Sequence, residues 1–322
     1  MKIKNDNNIT YTGGCEIGPR PIDLHIKALR SMGAIIDEAS FGLIKCKAPK
    51  LKGCEINLDY PSVGATENIM LTAVFADGIT YIRNAAKEPE IVDLQRFLNE
   101  AGVEVTGAGT GVIKIAGTTK GLSDVEHVVM PDRIEAGTYL VAIAATGGEG
   151  ILSGVIPDHF ISVIHNLKDS GCRIKLDRSC VWIKGTQTIR PIDKIRTLPY
   201  PGFPTDMQSQ MCAYLTLGKG TSVIVETVFE SRFKYIDELN KLGADVNVEG
   251  RTAIIRGVKK LKGANISAKE LRGGAALIIA GLTAENTTTI SGVNFIDRGY
   301  ECPEDKLTKL GANIIRIKEL KN

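Results

Sequence analysis

Five times along the chain, apolar residues recur at helical spacing, the run stops at a glycine, and short alternating segments follow. The glycines are Gly33, Gly102, Gly171, Gly243 and Gly311, separated by 69, 69, 72 and 68 residues. Ahead of them stand Leu24, Ile26 and Leu29; Leu94, Phe97 and Leu98; Ile161, Ile164 and Leu167; and Ile236, Leu239 and Leu242. Spacings of three and four place these side chains on one helix face. The glycine then falls where a helix ends in left-handed backbone, which costs a residue without Cβ nothing. After the glycine, pairs such as 103–105 with 112–115 and 173–176 with 181–183 alternate in polarity and predict β-hairpins.

A second landmark keeps the same period. Pro61, Pro131 and Pro204, with Leu271 as the fourth counterpart, each open an apolar helix that closes near Gly78, Gly150, Gly220 or Asn286, and a strand follows. The unit is helix, strand, helix and two strands, in four complete copies with partial ones at each end. A solenoid of such units is the bland alternative. Against it, charged and glycine-rich motifs gather at equivalent helix starts instead of lining one smooth face. We expect an α/β protein of two similar domains, 1–130 and 131–322.

Composition narrows the class. Forty basic and 37 acidic residues in 322 leave the chain nearly neutral, which argues against a nucleic-acid partner. Seven cysteines without a C-x-x-C pair indicate reduced thiols in a cytoplasmic setting, not disulfides or a zinc site. No early apolar segment and no long apolar run suggest secretion or a membrane span.

Gly13-Gly14-Cys15, followed by Arg20 between two prolines, unites a permissive backbone, a thiol and a cation that lowers thiol pKa and grips phosphate. Ser62, Val63 and Gly64 in PSVGATENIM open a helix, where a phosphate site and an ordinary cap are equally good readings. Asp206 in FPTDMQ opens another, and favourable placement on the helix dipole is its plainer explanation. Lys87, Glu88 and Glu90 read as solvated helix-start charges. Arg133, Arg232, Arg272 and Arg298 recur beside glycines and helix starts; with Arg20 they suggest a strongly anionic small substrate. His25, His159 and His165 lie on helical patterns without an acid–base partner and read as core or surface residues.

Taken in order, GGCEIGPRPIDLH, PSVGATENIM, NAAKEPEIVD, PDRIEAGT, FPTDMQ, ETVFESRF and DRGYE make the chain from residue 13 to about 318 resemble the UDP-N-acetylglucosamine enolpyruvyl transferases (1-carboxyvinyltransferases). The resemblance implies an inside-out α/β barrel of two similar domains, each of three copies of the unit. It implies transfer of the enolpyruvyl group of phosphoenolpyruvate to the 3′-hydroxyl of UDP-N-acetylglucosamine with release of phosphate, the first committed step of peptidoglycan synthesis. Cell-wall biogenesis, cell shape, the cell cycle and cell division would depend on it. Cys15 matches the family's proton donor, which the antibiotic fosfomycin alkylates, and Asp206 the carboxylate at the sugar hydroxyl. Arg20, Pro21, Ile22, Asp23 and Leu24, then Tyr60, Pro61, Ser62, Val63 and Gly64, match nucleotide-contacting runs, although a lysine is common at the Tyr60 position. Val228 matches a sugar contact. Cys15, Arg20, Arg272 and Arg298 match the phosphoenolpyruvate site. The two domains are expected to close on the sugar nucleotide with the Cys15 loop as a lid. No cofactor or metal is implied.

The family has a further segment ahead of the position of Gly13, roughly 100 residues at this repeat length. It holds a Lys-Asn pair at the phosphoenolpyruvate site and an arginine for the sugar nucleotide, neither matched here. The 322-residue chain by itself is therefore expected to turn over little, the segment being either split off by gene fragmentation, with a separately encoded N-terminal segment as a partner, or cut off by a misassigned start codon. A non-catalytic sugar-nucleotide-binding relic is one alternative. The related 5-enolpyruvylshikimate-3-phosphate synthase is another, against which stand the GGC loop and PSVGATENIM.

Overall fold

The computed structural model describes residues 6–10, 21–39 and 43–317. Cys15 and Arg20 lie outside the described residues. Packing divides the chain into two units: one runs to Met130 and takes in Pro199–Pro201, and the other holds Pro131–Leu198 and the residues from Gly202.

Unit 1 opens with β1 (Asp6–Thr10), α1 (Asp23–Ser31), β2 (Ile35–Ala39) and β3 (Leu43–Lys47), the strands forming an antiparallel sheet in the order β1-β3-β2. It continues with β4 (Glu55–Asn57), α2 (Val63–Ala73), β5 (Ile79–Arg83), α3 (Pro89–Glu100), β6 (Glu104–Thr106) and β7 (Val112–Ala116). Here β4 and β5 run parallel across α2, and the hairpin β6–β7 closes the sheet as β4-β5-β7-β6.

Unit 2 repeats the plan. First come α4 (Arg133–Ala145), β8 (Glu149–Ser153), α5 (Ile161–Asp169), β9 (Arg173–Leu176) and β10 (Cys180–Lys184). Next are β11 (Ile195–Arg196), a 3-10 turn (Thr205–Met207), α6 (Gln208–Leu215), β12 (Thr221–Val225), α7 (Ile236–Lys241), β13 (Asp245–Glu249) and β14 (Thr252–Arg256). Last are β15 (Asn265–Ser267), α8 (Leu271–Thr283), β16 (Thr289–Ser291) and α9 (Pro303–Lys309). The order β11-β12-β14-β13 reproduces that of unit 1, strand for strand.

The two helices of each copy differ in kind. All eight residues of α6 are buried, as are 136–144 of α4 and 273–280 of α8, and these three helices pack on one another. A helix apolar on every side is stable only when covered on every side. The sheets supply that cover, so helices form the interior of unit 2 and strands its outside. By contrast α3 and α5 bury only one stripe, Ile91 with Leu98, and Val163, Ile164 with Leu167. At Gly274 a Cβ would stand 2.6 Å from Ile296 Cγ1, so glycine there lets the α8 backbone approach its neighbour.

All five repeat glycines take left-handed backbone, with φ between +88° and +110°. At Gly33 the amide donates to Arg30 O at 3.0 Å while Ala34 N donates to Leu29 O at 3.0 Å, and 102–103, 171–172 and 311–312 repeat this closure. Two expectations need correction. The apolar helices stop several residues before Gly78, Gly150, Gly220 and Asn286, since the turn into the next strand takes those residues. Gly78, Gly220 and Asn286 carry its positive φ, but Gly147 does so in place of Gly150, which is inside β8. The complete copies number three among the described residues, because 310–317 after α9 form no strand: Ile315 and Ile317 are 78% and 75% exposed, without a pairing strand to bury them.

Candidate active site

In unit 2 the chemistry collects where strands end and interior helices begin. The segment after β11 leads through Pro204 into the 3-10 turn, which presents Asp206 ahead of α6. Asp206 does not cap α6. Its Oδ1 accepts from Arg232 Nη2 at 2.7 Å, and its Oδ2 accepts from Arg272 Nη2 at 3.0 Å and Nε at 3.1 Å. This replaces the dipole explanation with a charge cluster. Arg232 comes from the loop between β12 and α7, and Arg272 from the first turn of α8.

Burial would push the Asp206 carboxyl up, but the two guanidinium groups outweigh it and hold the pKa below the ordinary 3.8. Burial likewise opposes the charge on Arg272, while Tyr300 and Asp206 sustain it, with the net effect upward. The Arg272 guanidinium lies 5.4 Å from the Tyr300 ring centre, a cation–π arrangement. Tyr300 Oη is 2.9 Å from Thr138 Oγ1, and Gln210 Nε2 donates to Thr138 Oγ1 at 3.0 Å and to Asp206 O at 2.8 Å. The cluster is thus tied into α4 and α6, and its charges stand on a rigid base.

Two donors of the cluster remain unused. Among the described residues, Arg232 Nε and Arg272 Nη1 are buried and have no hydrogen-bond partner. Buried guanidinium donors are expensive to leave unpaired, and guanidinium groups suit oxyanions. The first turn of α8 is held from below: Glu270 accepts from the backbone of Arg272 at 2.8 Å and from that of Gly273. Arg298 ends the 3-10 turn 293–298, exposed, two residues before Tyr300. Val228 N donates to the buried Glu226 Oε1 at 2.8 Å.

Unit 1 brings together the two runs that sequence reading assigned to a nucleotide. The starts of α1 and α2 are adjacent: Asn68 Nδ2 donates to His25 Nδ1 at 3.1 Å, and a Cβ on Gly64 would stand 3.4 Å from His25 Cε1. Ile22 is the N-cap of α1, Asp23 its first residue, and Leu24 packs on the core below. Pro21 and Tyr60 are exposed, with Pro61 and Val63 half-buried. Ser62 Oγ accepts from Ala65 N at 3.3 Å, so the capping role of Ser62 is realised. Burial lowers the His25 pKa, with Asp23 opposing, which keeps the ring neutral to accept from Asn68. His25 is therefore no anonymous helix residue: it bridges the two runs, a proximity only the fold creates.

Two readings from sequence are corrected. Glu88 is not a solvated helix-start charge but is 8% exposed, accepting from Tyr200 N at 3.3 Å. Arg232, placed only among recurring arginines, is a direct partner of Asp206. Its signal was faint, an arginine three residues beyond Phe229. Among the described residues no group of three His, Cys, Asp or Glu side chains could hold a metal ion, and no helix is long and apolar enough to cross a membrane.

Comparison with known proteins agrees with this geometry. The family described as EPSP synthase (3-phosphoshikimate 1-carboxyvinyltransferase) matches residues 2–307. UDP-N-acetylglucosamine 1-carboxyvinyltransferase 2 of Caldanaerobacter subterraneus subsp. tengcongensis is 54% identical over 96% of this chain and 74% of its own length. UDP-N-acetylglucosamine 1-carboxyvinyltransferase 1 of Carboxydothermus hydrogenoformans is 54% identical over 96% of this chain and 73% of its own length. Among solved structures, the enolpyruvyl transferase NikO of Streptomyces tendae superposes with TM-score 0.84 at 22% identity, covering 96% of this chain and 73% of that one. An EPSP synthase of Acinetobacter baumannii reaches 0.67 at 21% identity, covering 94% and 73%. These two share the fold, the repeated α/β architecture of the enolpyruvyl transferases, whereas identity above one half singles out one branch of it. The chain belongs to the UDP-N-acetylglucosamine 1-carboxyvinyltransferase family.

Proposed function

We propose that this protein transfers the enolpyruvyl group of phosphoenolpyruvate to the 3′-hydroxyl of UDP-N-acetylglucosamine and releases phosphate, within peptidoglycan synthesis in the cytoplasm. The observation that carries the reading is Asp206 held between Arg232 and Arg272, each with an unused buried donor, in a chain 54% identical to relatives of that name. The sugar oxygen forms a bond to C2 of phosphoenolpyruvate while C3 takes a proton from Cys15. Return of a C3 proton to the Cys15 thiolate and cleavage of the C2–O bond to phosphate then leave the enol ether.

Asp206 receives the proton of the sugar hydroxyl. A carboxylate gripped by two arginines is a weak base, but phosphoenolpyruvate brings its own phosphate and carboxylate. When these engage Arg272 and Arg298, Asp206 loses part of its compensation and becomes more basic as the substrate arrives. The fixed guanidinium charges also offset charge developing on the departing phosphate. Residues 21–24 and 60–64 of unit 1 supply contacts to the nucleotide.

Phosphate release from phosphoenolpyruvate should require UDP-N-acetylglucosamine and yield its enolpyruvyl ether by mass. Release with shikimate 3-phosphate, and none with UDP-N-acetylglucosamine, would overturn the assignment.

A further inference from the structure

Glu226 follows the last residue of β12 and is fully buried. Among the described residues no cation meets its carboxylate; four uncharged donors do. Oε1 accepts from Thr197 Oγ1 at 2.9 Å, Val228 N at 2.8 Å and Phe229 N at 3.1 Å, and Oε2 accepts from Thr205 Oγ1 at 2.8 Å. These donors belong to three separate segments: the end of β11, the turn bearing Asp206, and the loop of Val228 that continues to Arg232. Thr197 extends the network, since its Oγ1 accepts from Thr227 N at 2.8 Å. A carboxylate has about four lone-pair sites, and four donors meet this one, three on Oε1 and one on Oε2. Burying such a group without a counter-charge is costly, and an apolar residue would fill the space without that cost.

We propose that Glu226 is a positioning residue: its carboxylate fixes the turn carrying Asp206 against the 227–229 loop, and so sets where the Asp206 carboxylate meets the sugar hydroxyl. Its two arms are unequal, three donors on one oxygen and the Thr205 hydroxyl alone on the other. In Glu226→Gln the single carbonyl oxygen stays with the three donors, and the amide nitrogen is turned to Thr205. The Thr205 hydroxyl can accept from that amide as readily as it donates to a carboxylate, so Glu226→Gln reverses and weakens this arm, Thr205→Val breaks it, and Thr205→Ser keeps it. The part concerning the sugar rests on the function proposed above; the geometry of the clamp does not.

The test measures turnover and backbone hydrogen exchange in the full chain for wild type, the three variants and the Glu226→Gln/Thr205→Val double. Thr205→Val should lower kcat by about 10- to 100-fold, the loss that a displacement near 1 Å brings, and Glu226→Gln should lower it by less. KM for UDP-N-acetylglucosamine should stay within roughly threefold, the double should be little worse than Thr205→Val alone, and Thr205→Ser should keep kcat within roughly threefold of wild type. Exchange should quicken in peptide 203–208, which includes the Met207 amide bonded to Pro204 O, and stay unchanged in 226–229. Wild-type kcat and exchange in Thr205→Val, an additive double, or a Thr205→Ser as impaired as the valine would overturn the proposal, the last by showing that packing and not the hydroxyl matters. If wild type shows little UDP-N-acetylglucosamine-dependent turnover, as expected of the 322-residue chain by itself, exchange in 203–208 decides the clamp: quickened in Thr205→Val and unchanged in Thr205→Ser supports it, unchanged in Thr205→Val refutes it.

Discussion

Replacing Arg232 with methionine removes one of the two charges that hold Asp206 and leaves a side chain of similar length in a site 3% exposed. Breaking a fully buried ion pair from one side costs about 3–5 kcal/mol because the other charge stays behind. Asp206 is 36% exposed and keeps Arg272 at 3.0 Å, so water and the second arginine soften the loss to about 1–3 kcal/mol. In a unit of this size each kcal/mol lowers Tm by about 2–4 °C. The pH dependence has a definite sign. A carboxyl whose folded pKa lies below its unfolded value adds stability above the unfolded value and gives it up as pH falls through the folded one. The wild-type chain should thus hold this contribution through neutral pH and lose it below the ordinary Asp value of 3.8. In Arg232→Met the folded pKa rises, the neutral-pH advantage shrinks, and the acid limb of the stability curve moves to higher pH. Urea unfolding of wild type, Arg232→Met, Asp206→Asn and the double variant between pH 3 and 8 closes a double-mutant cycle. A coupling below about 0.5 kcal/mol at pH 7, or identical acid limbs, would refute the argument that these charges are energetically linked.

Three further outcomes follow from the same geometry. Cys15→Ser should abolish labelling by fosfomycin; persistent labelling would point to exposed Cys302, since Cys212 is buried with its thiol pushed up to about 12. Ser62→Asp keeps a capping oxygen on α2 yet places a carboxylate where the nucleotide run begins, so UDP affinity measured by calorimetry should fall at least about tenfold while Tm holds, and unchanged affinity would leave Ser62 a cap alone. His127, bonded to Glu100 Oε2 at 2.9 Å and Asp93 Oδ2 at 3.2 Å, has its pKa raised by both carboxylates, with burial opposing. Its stabilising effect is present below the unfolded value and lost as pH rises through the folded one, so His127→Gln should destabilise unit 1 near pH 5.5 and little at pH 9; an equal loss at both would count against a charged contact.

What the sequence could disclose was set by distance along the chain. The repeat, the closing glycines and the hairpins are local patterns, and they were readable because each depends on residues within a few turns of one another. The interior position of α4, α6 and α8 was also present, as apolar residues with no polar face, although those helices were bounded too late. The two partial ends were harder, because the alternation at 314–317 looks like a strand, and only the absence of a pairing strand among the described residues shows that it is none.

The site was legible in its parts and not in its joins. Asp206 meets Arg232 across 26 residues and Arg272 across 66, and no periodicity relates such positions. Glu226 went unnoticed for a related reason: an acidic residue after a strand reads as solvated until the fold buries it. Once it is buried, its partners show the logic of the arrangement. Thr197, Thr205 and the Val228 and Phe229 amides come from a strand end, a turn and a loop that share no secondary structure. The segments share some bonds of their own, Leu198 N to Phe203 O at 2.9 Å and Thr227 N to Thr197 Oγ1 at 2.8 Å, while side-chain packing tolerates shifts of a fraction of an ångström. A carboxylate with four short bonds does not tolerate them, because each displaced donor becomes a buried unsatisfied group. The rigidity that Asp206 needs is therefore located one residue beyond β12, in a group that need not touch a substrate.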